Sequence, residues 1–427
     1  MRSVLAYPGN MAHAQNIALA LHETNTLDAF VTSFAWQADG LAASLLSRLP
    51  FAPARCLNRE MSRRSISMVP WQFINAHPHW EVVRSAAMKL GAGPVVTDMA
   101  WDHASHSFDS LVANSYVPRT QAVLSFEYTA LASFQRAQQR GVARVLHLPS
   151  LDSRQFEKIQ RREKSQWPEL VGAHDGYFNA KFERRYARRR QEIALADVII
   201  ANSSLTARSH ISAGADPSKV FAVPLGAPPA IADAYAQPAD QTKPLRVIWA
   251  GPFSLRKGAH YLLAAWQRLA AGRAAELHIY GQQLLPRRLH ANISNELIFH
   301  GSVPQSELFG AYQSADVLVF PTLSDGFGMV VAEALAHGLP VITTNQAGAA
   351  DLITPDNGLI VEAANARALA DSLRWCLDNR LRLAEMRLHA VESARRRQWS
   401  NFRSELCTAL YRGLTRAGYQ PNYGQPN

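Results

Sequence analysis

Apolar residues come in short bursts along the second half of the chain. LRVIWAG (245–251), ELHIYG (276–281), DVLVFPT (316–322) and LPVITTN (339–345) have the length and branched composition of strands. Between them the apolar spacing changes to that of amphipathic helices at 257–271, 304–315, 328–338 and 365–379. Strands apolar on both faces, alternating with helices, predict an α/β fold with a parallel, doubly wound sheet. The first half repeats the rhythm. SVLAYP, AFVTSF, AVLSFEY, ARVLHLP and ADVIIANS read as strands, and 12–23, 129–140 and 178–195 as helices. GAPPAIADAYAQPADQTKP (226–244), rich in Pro and Ala and without periodicity, reads as a linker. The expected division is therefore one Rossmann-like domain over 1–230, a second over 241–398, and a terminal helix with a polar tail over 399–427. Two such domains face each other across a cleft. Ligands of open α/β sheets lie beyond the carboxyl ends of the strands, so the loops there are where chemistry is expected.

Composition changes this picture in a few places. The chain has 427 residues, 48% of them hydrophobic and 18% charged, enough for two cores. Its net charge of +10 suits an anionic partner such as a nucleotide or a phospholipid surface. Nucleic acid is not expected, because no helix-turn-helix, zinc-finger or RNA-recognition signature accompanies the charge. Cys56, Cys376 and Cys407 are far apart and form no C-x-x-C pair, which argues against a zinc or disulfide framework and for a reducing compartment. The opening MRSVLAYPGN has too short an apolar run for a signal peptide, and no run of 18 apolar residues exists. A cytoplasmic protein is expected, with contact at the inner face of a membrane left open. KFERRYARRRQE (181–192) bears on that point: it reads first as a solvated charged helix, and second as a surface for a membrane or an anionic, lipid-linked acceptor.

Two stretches carry the chemistry. In FPTLSDGFGMVVAEALAHGLPVITT, Asp325 and Glu333 stand eight positions apart, with Gly326, Phe327 and Gly328 directly after the first acid. The glycines allow a sharp turn and a close ligand approach, and the helix opening at Met329 offers free amides to a phosphate or a sugar oxygen. Asp325 as a plain helix cap is the bland alternative. Against it stand the apolar neighbours, which bury this helix and leave its carboxylate in need of a partner. In WAGPFSLRKGAHYLLAAW (249–266), a strand ends at Gly251 and Arg256 and Lys257 precede a helix. Two cations there can hold a diphosphate and stabilise charge developing on it; a solvated Arg–Lys pair is the ordinary reading. The Gly-Lys-Ser/Thr order of a Walker loop is absent.

DGFGMVVAEALAHGLPVI resembles the E-x7-E motif of the retaining family 4 glycosyltransferases, which have the GT-B fold, and the likeness runs through about 245–380. It implies that Asp325, Phe327 and Gly328 face the donor sugar, Glu333 the ribose, and Arg256 and Lys257 the diphosphate. It places the base near Gly301, Ser302 and Val303, after LIFHG. YPGNMAHAQNIALALHE resembles the family's first glycine loop, which brings Gly9 and Asn10 toward the donor phosphate. His147 falls near a pocket-lining histidine of the family, with a satisfied core imidazole as the alternative. Glu127, Ser203 and Ser204 are further cleft candidates, and N-capping explains the two serines equally well. The chain departs from the pattern at Asp325 (usually Glu), at Pro252 (usually Arg), at Asn10 (usually Gly) and at PLG (224–226; usually PNG). The implied reaction moves a hexosyl group from a UDP- or GDP-linked sugar to a hydroxyl of a glycan, polysaccharide or lipid-linked acceptor, with retention and with neither metal nor cofactor. The terminal helix is implied to cross back to the first domain. A catalytically weak nucleotide-sugar-binding subunit or scaffold, and a GT-B epimerase, share this fold and stay open as alternatives. Residues 50–80 are expected to form an acceptor-side loop.

Overall fold

The computed structural model describes residues 1–37, 40, 44, 61, 65–231, 242–290 and 297–423. Cys56, the middle of the linker and most of the expected acceptor-side loop before 65 lie outside them.

The described strands form two all-parallel sheets. The first joins β1 (Ser3–Ala6), β2 (Leu27–Thr32), β3 (Ile74–Ala76), β4 (Ala122–Phe126), β5 (Ala143–Leu148), β6 (Val198–Ala201) and β7 (Val220–Ala222) in the order β3-β2-β1-β4-β5-β6-β7. The second joins β8 (Leu245–Ala250), β9 (Ala275–Tyr280), β10 (Leu297–Gly301), β11 (Val317–Phe320), β12 (Val341–Thr344) and β13 (Gly358–Val361) in the order β10-β9-β8-β11-β12-β13. Every residue of β4, β11 and β12 is buried, as strands covered on both faces must be. Strand order reverses between β1 and β4 in one sheet and between β8 and β11 in the other. At such a point the helices leave toward opposite faces and open a crevice. The loops after β1, β4, β8 and β11 therefore mark the two places a ligand can enter.

The terminal helix Trp399–Arg416 returns to the first sheet. Arg403 binds Glu23 at 2.9 Å and Asn16 at 3.2 Å on the helix Ala12–Glu23. Gly413 packs so closely that a Cβ would lie 2.7 Å from a Val198 methyl. Tyr423 is fully buried, its hydroxyl 2.6 Å from Ser3 Oγ. The basic run lies on the helix Asp175–Leu195, and several of its cations are paired with acids. Arg185 bridges Asp98 and Asp102 at 2.8 and 2.9 Å, Lys181 reaches the same two acids, and Arg188 binds Asp109 at 2.5 Å. The charges form a seam against the helix Gly93–Ser115, which the sequence pattern did not reveal. Among the described residues, no helix is long and apolar enough to cross a membrane.

Candidate functional site

The loop between β8 and the helix Ala259–Leu269 is held by one glycine. Gly258 adopts φ +74°, and a Cβ there would collide with the carbonyl of Pro321 at the end of β11. This contact, together with hydrogen bonds from Leu323 N (3.0 Å) and Thr322 Oγ1 (3.2 Å) to the Arg256 carbonyl, ties the loop after β8 to the loop after β11. Arg256 and Lys257 thereby come to stand beside Asp325. The Lys257 ammonium contacts the Asp325 carboxylate and lies 4.8 Å over the Phe320 ring. Burial and the neighbouring Arg256 charge push the Lys257 pKa down to about 7, against the pull of the carboxylate. Burial also lowers the pKa of Arg256, which donates to the Ser324 carbonyl at 3.5 Å.

The DGFG turn is fixed on both sides. Asp325 N donates to Gln346 O and Gly348 N to Asp325 O, each at 3.0 Å, and Ala349 N donates to Phe327 O at 2.6 Å. The Asp325 carboxylate also accepts from Phe327 N at 3.2 Å, so it turns the loop and meets Lys257 at once. Gly328 (φ +92°) then leads into the helix Met329–Ala336, with its free amides at the same switch point. Met329 is half-buried on its first turn. Glu333, also half-buried, takes a 3.4 Å contact from the Tyr312 hydroxyl, and burial raises its pKa. Gly251, Gly281 and Gly301 end β8, β9 and β10 with φ of +108°, +141° and +70°, and Gly281 N donates to Gly301 O at 2.7 Å. They make a strip of bare backbone beside the turn, with Ser302 exposed and Val303 half-buried beyond it.

The first domain closes over this turn. Gly326 leaves no space for a Cβ, which would strike Pro149 O and lie 2.8 Å from Ser150 Cα. Its carbonyl accepts from Ser203 Oγ at 2.6 Å and Thr206 Oγ1 at 3.1 Å, and the Ser204 hydroxyl meets Asp351. Ser203 caps its own helix as well, accepting from Thr206 N at 3.0 Å, so both readings of this serine hold together. A second bridge was not legible in sequence. Glu163, fully buried on the helix Ser153–Gln166, accepts from Tyr261 Oη at 2.7 Å and lies 3.1 Å from His260 Nε2. Both partners sit in the first turn after Lys257.

Across the cleft, Gly9 and Asn10 line a cavity of about 520 Å³, together with Phe126, Glu127 and Tyr128 at the end of β4. His147 does not line it. The ring stacks on His13, with centroids 5.3 Å apart, and neither nitrogen has a hydrogen-bond partner among the described residues. Burial and the neighbouring His13 hold its pKa well below the usual histidine range. Among the described residues its two nitrogens lack the hydrogen bonds that a satisfied core imidazole would make.

Residues 244–379 match the family Glycosyl transferases group 1. The chain is 28% identical over 235 residues to a D-inositol 3-phosphate glycosyltransferase of Xylanimonas cellulosilytica, covering 49% of this chain and 55% of that one. It is 32% identical over 142 residues to a GDP-mannose-dependent monoacylated alpha-(1-6)-phosphatidylinositol monomannoside mannosyltransferase of Corynebacterium glutamicum, covering 31% and 37%. The chain thus spans about half the length, or less, of these curated relatives. Among solved structures, HepE of Anabaena in complex with UDP superposes with a TM-score of 0.59 at 14% identity, covering 96% of this chain and 99% of that one. Sucrose-phosphate synthase of Thermosynechococcus elongatus gives 0.60 at 19% identity, covering 97% and 99%. At such identities the likeness speaks for the fold alone, and the fold is GT-B. The resemblance to family 4 glycosyltransferases and the two-domain α/β architecture read from the sequence are both borne out.

Proposed function

We propose that this protein is a retaining glycosyltransferase that moves a hexosyl group from a nucleoside-diphosphate sugar to an acceptor hydroxyl. The observation that carries the reading is the convergence of Lys257, Asp325 and the first turn of the helix Met329–Ala336 at the β8/β11 switch point of a group 1 domain. In this reading Arg256, Lys257 and the helix amides hold the diphosphate, and they supply the positive charge its departure needs without a metal ion. Asp325 positions the sugar and Glu333 the ribose hydroxyls. The strip at Gly251 and Gly301 lets the base approach the backbone, and Gly9 and Asn10 close over the phosphates from the other domain. The acceptor oxygen bonds to the anomeric carbon as the bond to the β-phosphate breaks, and its proton passes to the leaving diphosphate. No strong protein nucleophile is required, so positioning carries most of the rate. The acceptor is a glycan, free or lipid-linked.

The test is release of nucleoside diphosphate from UDP- and GDP-sugars by the wild-type chain, without and with added divalent metal, and by Lys257→Ala and Glu333→Ala. Turnover lost in both variants and indifferent to metal supports the assignment. Turnover near wild type in both would sink it.

A further inference from the structure

Tyr128 is a bulky residue in the left-handed region, φ +79°, at the carboxyl end of β4. A turn there would ordinarily take glycine or asparagine, and a non-glycine residue held so points to a use for its side chain. The surroundings enforce the conformation. Glu192 accepts from Tyr128 N at 2.6 Å and from Ala130 N at 3.1 Å, and Arg188 Nε donates to the Tyr128 carbonyl at 3.1 Å. The phenol donates to Asp102 at 2.5 Å, and the Arg189 guanidinium lies 4.6 Å from the ring centroid.

All of this fixes one ring against another. Trp101 lies flat on Tyr128, with centroids 4.8 Å apart and planes 5° from parallel. Tyr128 is only 4% exposed, whereas Trp101 is 38% exposed and lines the 520 Å³ cavity that also holds Gly9 and Asn10. The Arg185 guanidinium lies over the indole ring, 5.4 Å from its centroid, while it also binds Asp98 and Asp102. The same cavity presents Glu127 and the Glu81–Arg84 pair, joined at 2.6 Å. An immobilised indole beside carboxylates and a guanidinium matches a pyranose: the ring's C–H face lies on the aromatic surface and its hydroxyls reach the charged edges.

We propose that the cavity is a saccharide subsite in which Trp101, braced by Tyr128, stacks on the acceptor's pyranose ring. The assignment rests on the transferase reading and names the residue that would recognise a sugar ring of its glycan acceptor. Trp101 is a specificity residue here, and its ring packs against Tyr128 and Arg185.

The experiment is saturation-transfer NMR on the full chain with methyl glucosides, mannosides and galactosides and their disaccharides, with octanol as the apolar control. UDP and GDP titrations run beside it. Trp101→Ala is expected to weaken saccharide binding about ten-fold, and Trp101→Phe to keep it within about three-fold, because a ring is restored. Nucleotide affinity is expected to stay unchanged in both. Tyr128→Gly relieves the strained backbone but removes a buried, hydrogen-bonded ring, so it should lower thermal stability and also weaken saccharide binding. Trp101→Ala equal to wild type, or octanol preferred to every glycoside, overturns the subsite and leaves the transferase reading intact. A wild-type chain that binds neither nucleotide overturns the transferase reading, and the acceptor assignment goes with it.

Discussion

Ser203 of the first domain donates a 2.6 Å hydrogen bond to the carbonyl of Gly326 in the second. The glycine belongs to the turn that presents Asp325 and the amides of the helix Met329–Ala336, so the contact couples domain closure to the shape of the donor site. Gly326→Ala is expected to push Pro149 and Ser150 away, at an overpacking cost of about 1–3 kcal/mol. Because the displaced backbone borders the reaction centre, turnover should fall about 100-fold while each domain stays folded. Ser203→Ala removes one bond and one cap and should cost only about 1 kcal/mol. Thermal unfolding beside a turnover assay separates the two; an active Gly326→Ala would show that closure does not run through this turn.

Glu163 is expected to position the diphosphate loop from behind. Glu163→Ala leaves the Tyr261 hydroxyl and the His260 ring without their acceptor in a buried place, at a cost of about 1–3 kcal/mol. Both sit on the helix that follows Lys257, so donor KM should rise. Glu163→Gln keeps an acceptor for Tyr261 and should recover most of the affinity. Denaturant titration and donor kinetics on both variants check this, and a Glu163→Ala chain with unchanged donor KM would limit the residue to stability.

Lys257 gives nucleotide binding a pH dependence. Its pKa lies near 7 in the folded chain, and a bound diphosphate favours the ammonium. Affinity is therefore full below about pH 7 and falls as pH rises above it, by up to about ten-fold per unit. Asp325→Asn removes the carboxylate that pulls the pKa up, so the decline should begin at lower pH. Lys257→Arg stays charged throughout and should flatten the curve. Calorimetric titration of UDP and GDP between pH 6 and pH 9 reads all three. A flat wild-type curve would show that Lys257 does not hold the diphosphate.

The second domain was the more legible in the sequence because β8, β11 and β12 are almost wholly buried and glycines close β8, β9 and β10. β3, with three residues, is too short to carry a period. The helices His79–Lys89 and Gly93–Ser115 escaped for a different reason. They expose Val82, Val83, Val96 and Met99 to solvent and hold Asp98, Asp102 and Asp109 against the basic helix, so apolar and charged positions are exchanged relative to an ordinary amphipathic pattern. The helix Ser153–Gln166 is strongly polar, and its fully buried acid, Glu163, finds partners in the other domain. In the site, Lys257 and Asp325 were readable because each stands at a strand end or glycine turn, and Glu333 through its spacing from Asp325. The closeness of Gly326 to Pro149, the Glu163 bridge and the Trp101–Tyr128 stack depend on residues from distant parts of the chain, which a local pattern does not contain.

The measurement that tests the central claim most directly is calorimetric titration of the purified chain with UDP, GDP and ADP at pH 6.5 without metal. The account predicts saturable binding of one nucleoside diphosphate. Lys257→Ala and Glu333→Ala should each weaken it about ten- to a hundred-fold, the worth of a hydrogen bond to a charged group. Failure of all three nucleotides to bind, or binding indifferent to both substitutions, would contradict the donor site at the β8/β11 switch point.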